Sequence, residues 1–433
     1  MGLAGVKYLR LRKAMDVRGE NSHLRAELLA ALKSDGTPLR ENIYDAEHDI
    51  GVKKPTPSWT NIGDTSAVLR TSVNLGEIYQ GTDEPFIAVN SKHTRPVALA
   101  KGKTQLEATV KAIAGDLNSP FGGVWGFNTG VEKDTAEFLN RMFLVGVVAP
   151  EYQERAADEL RKDKSRILIR TGEVSSSDID ILKRRLQPVA LGYFILQDNE
   201  PVYDVYKQAV VVTGADDSNI TSLDNHLLRD IEFAGNAALY LSSNLVFFVH
   251  DGAIAGLGDG CGARTVAARK ARNMLEDSAY AAISDTLDPD DKWVTILNET
   301  PFSREDFSGL KKPVRLTAFS DAFYPKLDGF VETAGLDRIN DDFQNRQVQY
   351  QEKGATVTFI PKRRNFDPGY NKSLIPEVVV QPGGSKIGDR VINPIARSYD
   401  VQMVFTMTPG QLEDYLAGKP RITGRRFFGH VIM

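Results

Sequence analysis

The sequence predicts a layered α/β fold in two domains, on three observations. Apolar runs with strand character alternate with stretches of helical periodicity along most of the chain, the pattern of strands covered by helices. No short-period repeat interrupts that alternation. A length of 433 residues also exceeds what one hydrophobic core usually organises. The two domains are expected at 1–215 and 216–433, with the boundary near "VVVTGADDSNIT".

Taken in order, "NSHLRAELLAALKSDG" (21–36) predicts a short amphipathic helix ended by Gly36, and "TSAVLRTSVNLGEIYQG" a second helix. "EPFIAVNSKH" is a strand feeding a loop, "TQLEATVKAIAGDL" a helix, and "SPFGGVWGFNTGV" a strand punctuated by glycine turns. "KDTAEFLNRMFLVGVVAPEY" passes from helix to strand. The charged "QERAADELRKDKS" predicts a helix, followed by strands in "RILIRTG" and "VALGYFILQD". The second half continues the alternation, with helix "SLDNHLLRDIEFAGNAALYL", hairpin "NLVFFVHDGAIAGLG" and helix "RTVAARKARNMLEDSAYAA". Strands follow at "VRLTAFSD", "EVVVQPGG" and "VQMVFTMT". The polar stretches "QYQEKGATVTFIPKRRNFDPGYNKS" and "PGQLEDYLAGKPRITG" are expected as surface excursions.

Bulk chemistry narrows the function classes. Hydrophobic residues make up 42% and charged residues 25%, as in ordinary globular chains, and the net charge of −4 gives no global reason to bind nucleic acid or an anionic membrane. The single cysteine, Cys261, excludes a disulfide framework and a multi-cysteine zinc site. No signal-peptide core and no apolar run of membrane-spanning length is present, so a cytoplasmic location and no membrane partner are expected. The six histidines show no metal-ligand spacing, and "GxSxG" is absent, so neither a catalytic metal nor a serine nucleophile is expected. His23, His48, His226, His250 and His430 are read as surface or structural residues. "GLGDG" resembles a dinucleotide loop too weakly to indicate a Rossmann domain.

Several stretches in fixed order carry more. "KHTRP", "DLNSPFGGVWGFN", "TAEFLNRMFLVGVVAPEY", "SSNLVFFVHDGAIAGLGDGCGAR", "SDAFYP", "VQPGGS" and "RRFFGH" span most of the chain. Together they resemble the transformylase part of the bifunctional AICAR transformylase/IMP cyclohydrolase family, standing alone without the cyclohydrolase part. The resemblance implies two tandem cytidine-deaminase-like α/β/α domains and an obligate homodimer with active sites shared across the interface. It also implies transfer of a formyl group from 10-formyltetrahydrofolate, as co-substrate, to the 5-amine of an aminoimidazole carboxamide ribotide (AICAR).

That amine is a poor nucleophile, because its lone pair is delocalised toward the carboxamide. Transfer needs a base for the amine proton, a cation for the tetrahedral oxyanion and a proton for the leaving nitrogen. His93 matches the family's base and Lys92 its stabilising cation; a neighbouring ammonium helps keep a histidine neutral and basic. Read without the resemblance, the pair is a solvated lysine beside a loop histidine that caps a backbone group. Asn244 matches the asparagine that reads the carboxamide, and its amide supplies both a donor and an acceptor. Arg264 matches a substrate-binding arginine at a helix start, Gly122 a substrate-contacting glycine, and Phe323 a substrate-contacting aromatic. Arg426 matches a C-terminal arginine that binds nucleotide. Asp328, Gly383 and Gly384 fall at folate-binding positions.

Departures from the pattern bear on the substrate. An Arg-Tyr pair that holds substrate phosphate in the family corresponds to Val17 and Arg18, or to Arg18 alone if one gap is allowed. An acidic substrate contact is replaced by Val145, which cannot accept a hydrogen bond. The lysine of "KSN" is Ser242, two glutamines become Cys261 and Gly262, and "PFRD" becomes "PKLD", with Lys326 and Leu327. The chemistry is thus better retained than the pocket. Three readings compete: an AICAR transformylase, a related formyltransferase acting on another amine, and a catalytically silent nucleotide- or folate-binding relative. A zinc deaminase, which the implied fold brings to mind, lacks its ligand signature.

Overall fold

The computed structural model describes residues 10–20, 23–44, 57–179, 184–190, 193–198, 209–211, 223–284, 289–322, 374–383, 396 and 401–419. The strands are β1 (Leu11–Arg18), β2 (Arg25–Ala31), β3 (Phe86–Lys92), β4 (Arg95–Gly102), β5 (Val124–Phe127), β6 (Gly146–Ala149), β7 (Ile167–Arg170), β8 (Arg184–Val189) and β9 (Tyr193–Asp198). They continue with β10 (Val210–Val211), β11 (Val246–His250), β12 (Ala253–Gly258), β13 (Thr317–Ser320), β14 (Val378–Gln381) and β15 (Gln402–Phe405). The helices are α1 (Trp59–Tyr79), α2 (Gln105–Gly115), α3 (Lys133–Leu139), α4 (Ala156–Leu160), α5 (Ser176–Ile179), α6 (Asn225–Ala238), α7 (Arg264–Glu276), α8 (Ala279–Ser284), α9 (Pro289–Leu297) and α10 (Pro409–Leu416). None of them is long and apolar enough to cross a membrane.

Eleven strands form one mixed sheet in the order β10-β15-β14-β13-β11-β12-β4-β3-β5-β6-β7. The order contains one topology twice. The hairpin β3–β4 continues through antiparallel β5 into parallel β6 and β7. The hairpin β11–β12 likewise continues through antiparallel β13 into parallel β14 and β15. The two units meet where β12 pairs with β4 at Ala253 and Ala100. Each hairpin is preceded by a long helix, α1 or α6, and followed by another, α2 or α7.

Helices cover both sheet faces, which is why β5, β6, β11 and β12 are buried throughout. One face packs Trp125, Phe127, Val147 and Phe248 under Ala108 and Ala112 of α2 and Ala267 and Ala271 of α7. The other packs Val124, Val148, Phe247 and Val249 under Val68 and Leu75 of α1 and Ile231 and Ala234 of α6. The expected α/β layering is therefore present. Gly256 and Gly258 let α7 lie directly on β12, since a side chain at either would run into the Ala271 or Ala267 carbonyl. "GLGDG" is thus a helix-packing device.

Three local expectations change. Residues 25–31 form strand β2, not a helix, paired with β1 from Leu11↔Ala31 to Arg18↔Arg25. Exposure alternates along β2, so pairing has overridden the helix propensity of Ala, Leu and Glu. The stretch "PGQLEDYL", expected as an excursion, is α10: Thr408 and Gln411 make a capping box, a proline opens the helix, and Leu412 is buried. The single helix expected over 264–282 is broken between α7 and α8 at Asp277–Ser278. The stretch 349–373 lies outside the described residues.

Candidate active site

The register of β3 and β4 ends at Lys92↔Arg95, leaving His93 and Thr94 as a two-residue turn. Both adopt left-handed φ, 55° and 65°. Such turns favour Asn-Gly, and a β-branched residue there is uncommon. Neighbouring groups hold the turn. Asp64 of α1 accepts the Thr94 N–H at 2.6 Å and the Ser91 hydroxyl at 3.1 Å through the same oxygen. The Thr94 hydroxyl donates to the His93 carbonyl at 2.6 Å. Gly63 leaves room for the Thr94 methyl. Burial raises the Asp64 carboxyl above its ordinary pKa, opposed by those hydrogen bonds and by the charges of His93 and Lys92. His93 is exposed, and half-buried Lys92 donates to the Phe121 carbonyl at 2.9 Å, using one of its three N–H groups.

The sheet brings the glycine turn alongside. Ser91 pairs with Val124, and Val124 with Gly146, so residues 121–123 and Val145 sit beside Lys92. Gly122 has φ 77° and donates to the Phe143 carbonyl at 2.8 Å, while Val145 donates its N–H to the Gly123 carbonyl at 2.9 Å. Gly123 lies flat against Asn90, whose Oδ1 is buried without a hydrogen-bond donor. Phe143 is 61% exposed next to Gly122.

The second unit contributes a polar cluster to the same sheet edge. Asn244 donates to the Cys261 carbonyl and accepts from the Arg264 guanidinium, both at 2.9 Å. Arg264, the first residue of α7, also reaches Asp321 at 3.3 Å. Asp321, buried at the end of β13, accepts the Leu245 N–H at 3.1 Å and the Ser243 hydroxyl at 2.5 Å. Arg95, at the foot of the His93 turn, lies 3.9 Å from Asp259 in the loop leading to Arg264. The edge therefore lines up an exposed imidazole, an ammonium, a carboxamide and a guanidinium, the guanidinium bridging the carboxamide and the Asp321 carboxylate. Such a set can accept a proton, stabilise an oxyanion and read a planar polar ligand.

Comparison with known proteins gives the family. The family model described as AICARFT/IMPCHase bienzyme matches residues 4–274. The chain belongs to that family. Relatives include the bifunctional purine biosynthesis protein PurH of Ruegeria sp. (strain TM1040), 28% identical over 393 residues, covering 90% of this chain and 57% of that protein. PurH of Rhodopirellula baltica is 30% identical over 287 residues, 64% of this chain and 50% of the relative. PurH of Chlorobium phaeobacteroides is 26% identical over 404 residues, 93% and 59% respectively. The chain thus spans between 50% and 59% of the length of these three relatives.

For this member of the bienzyme family, the structure joins Lys92, His93 and Gly122 on one strand group and Asn244 with Arg264 on the next. Gly383 follows β14 with φ 68°, close against the Phe405 ring. Arg18 lies apart from the sheet, on β1, and its N–H bonds the Pro57 carbonyl just before the cap of α1. Phe323, Lys326, Leu327, Asp328, Gly384 and Arg426 fall outside the described residues. Asp64, Arg95 and Asp321 were missed by sequence reasoning. Asp321 stood within the quoted "SDAFYP", whereas Asp64 gave no motif signal.

Two groupings of potential metal ligands occur among the described residues, and protein atoms already engage both. In His226–Asp230–His250, His250 has Nδ1 within 2.9 to 3.1 Å of the Arg315 main chain and Nε2 3.1 Å from the Lys311 carbonyl. Asp230 there accepts the N–H groups of Asp251 and Gly252. In Glu84–Glu107–Asp251, the Lys111 ammonium sits 2.9 to 3.0 Å from all three carboxylates. A cleft of about 720 Å³ lies at the opposite ends of β5–β7, lined by Arg40, Tyr44, Arg70, Thr171 and Asp178. Arg40 pairs with Asp178 there, and the cleft lacks the imidazole–ammonium pair, so the sheet edge at His93 is the better candidate.

Proposed function

We propose that this chain is a formyltransferase of purine biosynthesis, moving the formyl group of 10-formyltetrahydrofolate onto the 5-amine of AICAR. The observation that carries the reading is the Lys92–His93 turn, anchored beside the Asn244–Arg264–Asp321 cluster. His93 takes the amine proton as the new C–N bond forms. Lys92, steadied by the Phe121 carbonyl, meets the oxyanion, and collapse of the tetrahedral adduct expels the folate nitrogen, which receives the proton back from the His93 imidazolium. Asn244 reads the carboxamide, while Arg264 takes the nucleotide side. Gly383, Gly384 and Asp328 are assigned to the folate, and Gly122, Phe323, Arg426 and Arg18 to the nucleotide.

The active form is a homodimer with shared sites. In support, β1 and β2 lie in a sheet of their own that leaves Leu11, Leu24 and Leu29 about half exposed. An active monomer in sedimentation at micromolar concentration would contradict the assembly. A second reading, transfer to a different amine, is favoured by one feature: position 145, whose N–H bonds the Gly123 carbonyl, carries a valine packed on the hydrophobic core instead of a carboxylate that could accept a substrate donor. Assaying tetrahydrofolate release with AICAR, and with other aminoimidazole and aryl amines, decides between them.

A further inference from the structure

The two units of the sheet carry the same turn device. In the second unit the hairpin β11–β12 turns at Asp251 and Gly252, both with left-handed φ, 48° and 71°. Its turn N–H groups are accepted by Asp230 of the preceding helix α6 at 3.0 and 2.8 Å. In the first unit the turn residues are His93 and Thr94, and the acceptor is Asp64 of the preceding helix α1. Each aspartate lies six residues beyond its helix cap, Ser58 or Asp224. Both are buried.

The copies differ in what the turn carries. Gly252 adopts left-handed φ at no steric cost, whereas His93 and Thr94 do so only because their surroundings impose it. The carboxylate in the first unit also binds the Ser91 hydroxyl, fixing the strand residue on the other side of Lys92. We propose that Asp64 is the positioning residue of the reaction, its carboxylate imposing the His93–Thr94 turn and so aiming the His93 imidazole at the acceptor amine. It does not touch substrate; it acts through the Thr94 N–H and the Ser91 hydroxyl. This inference rests on the formyl-transfer reading for its catalytic consequence, and on the hydrogen bonds alone for its structural part.

The test compares Asp64→Ala with Asp64→Asn, whose amide oxygen still accepts from Thr94 and Ser91. Displacing a base by about an ångström costs about 10²-fold, so Asp64→Ala is expected to lower kcat by that factor. The KM for AICAR should stay within about threefold, since the loss falls on the transition state. Asp64→Asn should retain kcat within about tenfold. Amide hydrogen exchange of the 91–96 segment supplies a readout that needs no turnover: Thr94 is protected in the parent and in Asp64→Asn, and exchanges fast in Asp64→Ala. Adding Thr94→Gly to Asp64→Ala provides a residue at home in the turn and is expected to recover part of kcat; it also serves if Asp64→Ala alone does not fold. Unchanged kcat in Asp64→Ala, or a Thr94 amide equally protected without the carboxylate, overturns the proposal. If the parent transfers no formyl group at all, the functional reading fails, while the exchange data still decide whether Asp64 holds the turn.

Discussion

Replacing Asp321 with alanine removes the acceptor of three donors at once: the Leu245 N–H, the Ser243 hydroxyl and the Arg264 guanidinium. The Leu245 N–H has no access to water, because Leu245 is fully buried, and leaving such a donor unpaired costs about 1–3 kcal/mol. Arg264 keeps a side-chain exposure of 21% and is partly rehydrated. Its share is therefore at the low end for a broken ion pair, and the whole substitution is expected to cost about 3 kcal/mol. Asp321→Asn keeps one oxygen for Leu245 and Arg264 and should cost about 1 kcal/mol. Urea unfolding with an unchanged slope measures both values. The functional consequence is separate: with Arg264 freed from its carboxylate, AICAR affinity should fall about ten- to a hundredfold in Asp321→Ala. A variant within about 0.5 kcal/mol of the parent, with unchanged affinity, would refute the claim that this carboxylate organises the cluster.

His93→Ala should abolish turnover while changing nucleotide affinity less than about tenfold, and the Lys92→Ala/His93→Ala double variant should be little worse than either single one, checked by single-turnover kinetics. Val145→Glu restores an acceptor at position 145 and should improve AICAR turnover about ten- to a hundredfold; no gain in steady-state assays would show a pocket rebuilt around the same ligand. Lys111→Met leaves Glu84, Glu107 and Asp251 without their shared cation and should cost about 3–5 kcal/mol at neutral pH by urea unfolding. That penalty has a pH signature. Burial works to raise the Asp251 carboxyl, but Lys111 and Lys311 outweigh it and hold it down at about 2. A depressed carboxylate contributes stability that is full above its ordinary value near 4 and is lost as pH falls through about 2. The gap between parent and Lys111→Met should therefore narrow across that acid range.

Much of the fold was legible because its strands are short apolar runs between turn residues: β3, β5, β6, β11, β13, β14 and β15 all fall within stretches that predict them. β2 was not, since Ala, Leu and Glu favour a helix and only pairing with β1 decides otherwise. Apart from the tandem domains that the resemblance implies, the duplication was visible only as a recurring alternation of helix and strand. It emerges from strand order and from equivalent devices such as Asp64 and Asp230, which share a position relative to a helix cap but no surrounding motif. At the site, Lys92 and His93 were readable as an unusual adjacent pair at a strand end. The partner of Arg264 was not. The resemblance placed Arg264 at a helix start as a substrate contact, whereas the guanidinium is bound to Asn244 and Asp321, residues 20 and 57 positions away in the chain. Sequence separation of that size hides an ion pair from any local pattern.

If the His93 turn and the Arg264 cluster together transfer a formyl group to an aminoimidazole amine, the purified chain should show it without any partner enzyme. The direct measurement is tetrahydrofolate release from 10-formyltetrahydrofolate in the presence of AICAR, with His93→Ala assayed in parallel. The expected result is AICAR-dependent release in the parent and none in the variant. Folate binding with no release for AICAR or any other amine, or equal release in His93→Ala, would contradict that assignment.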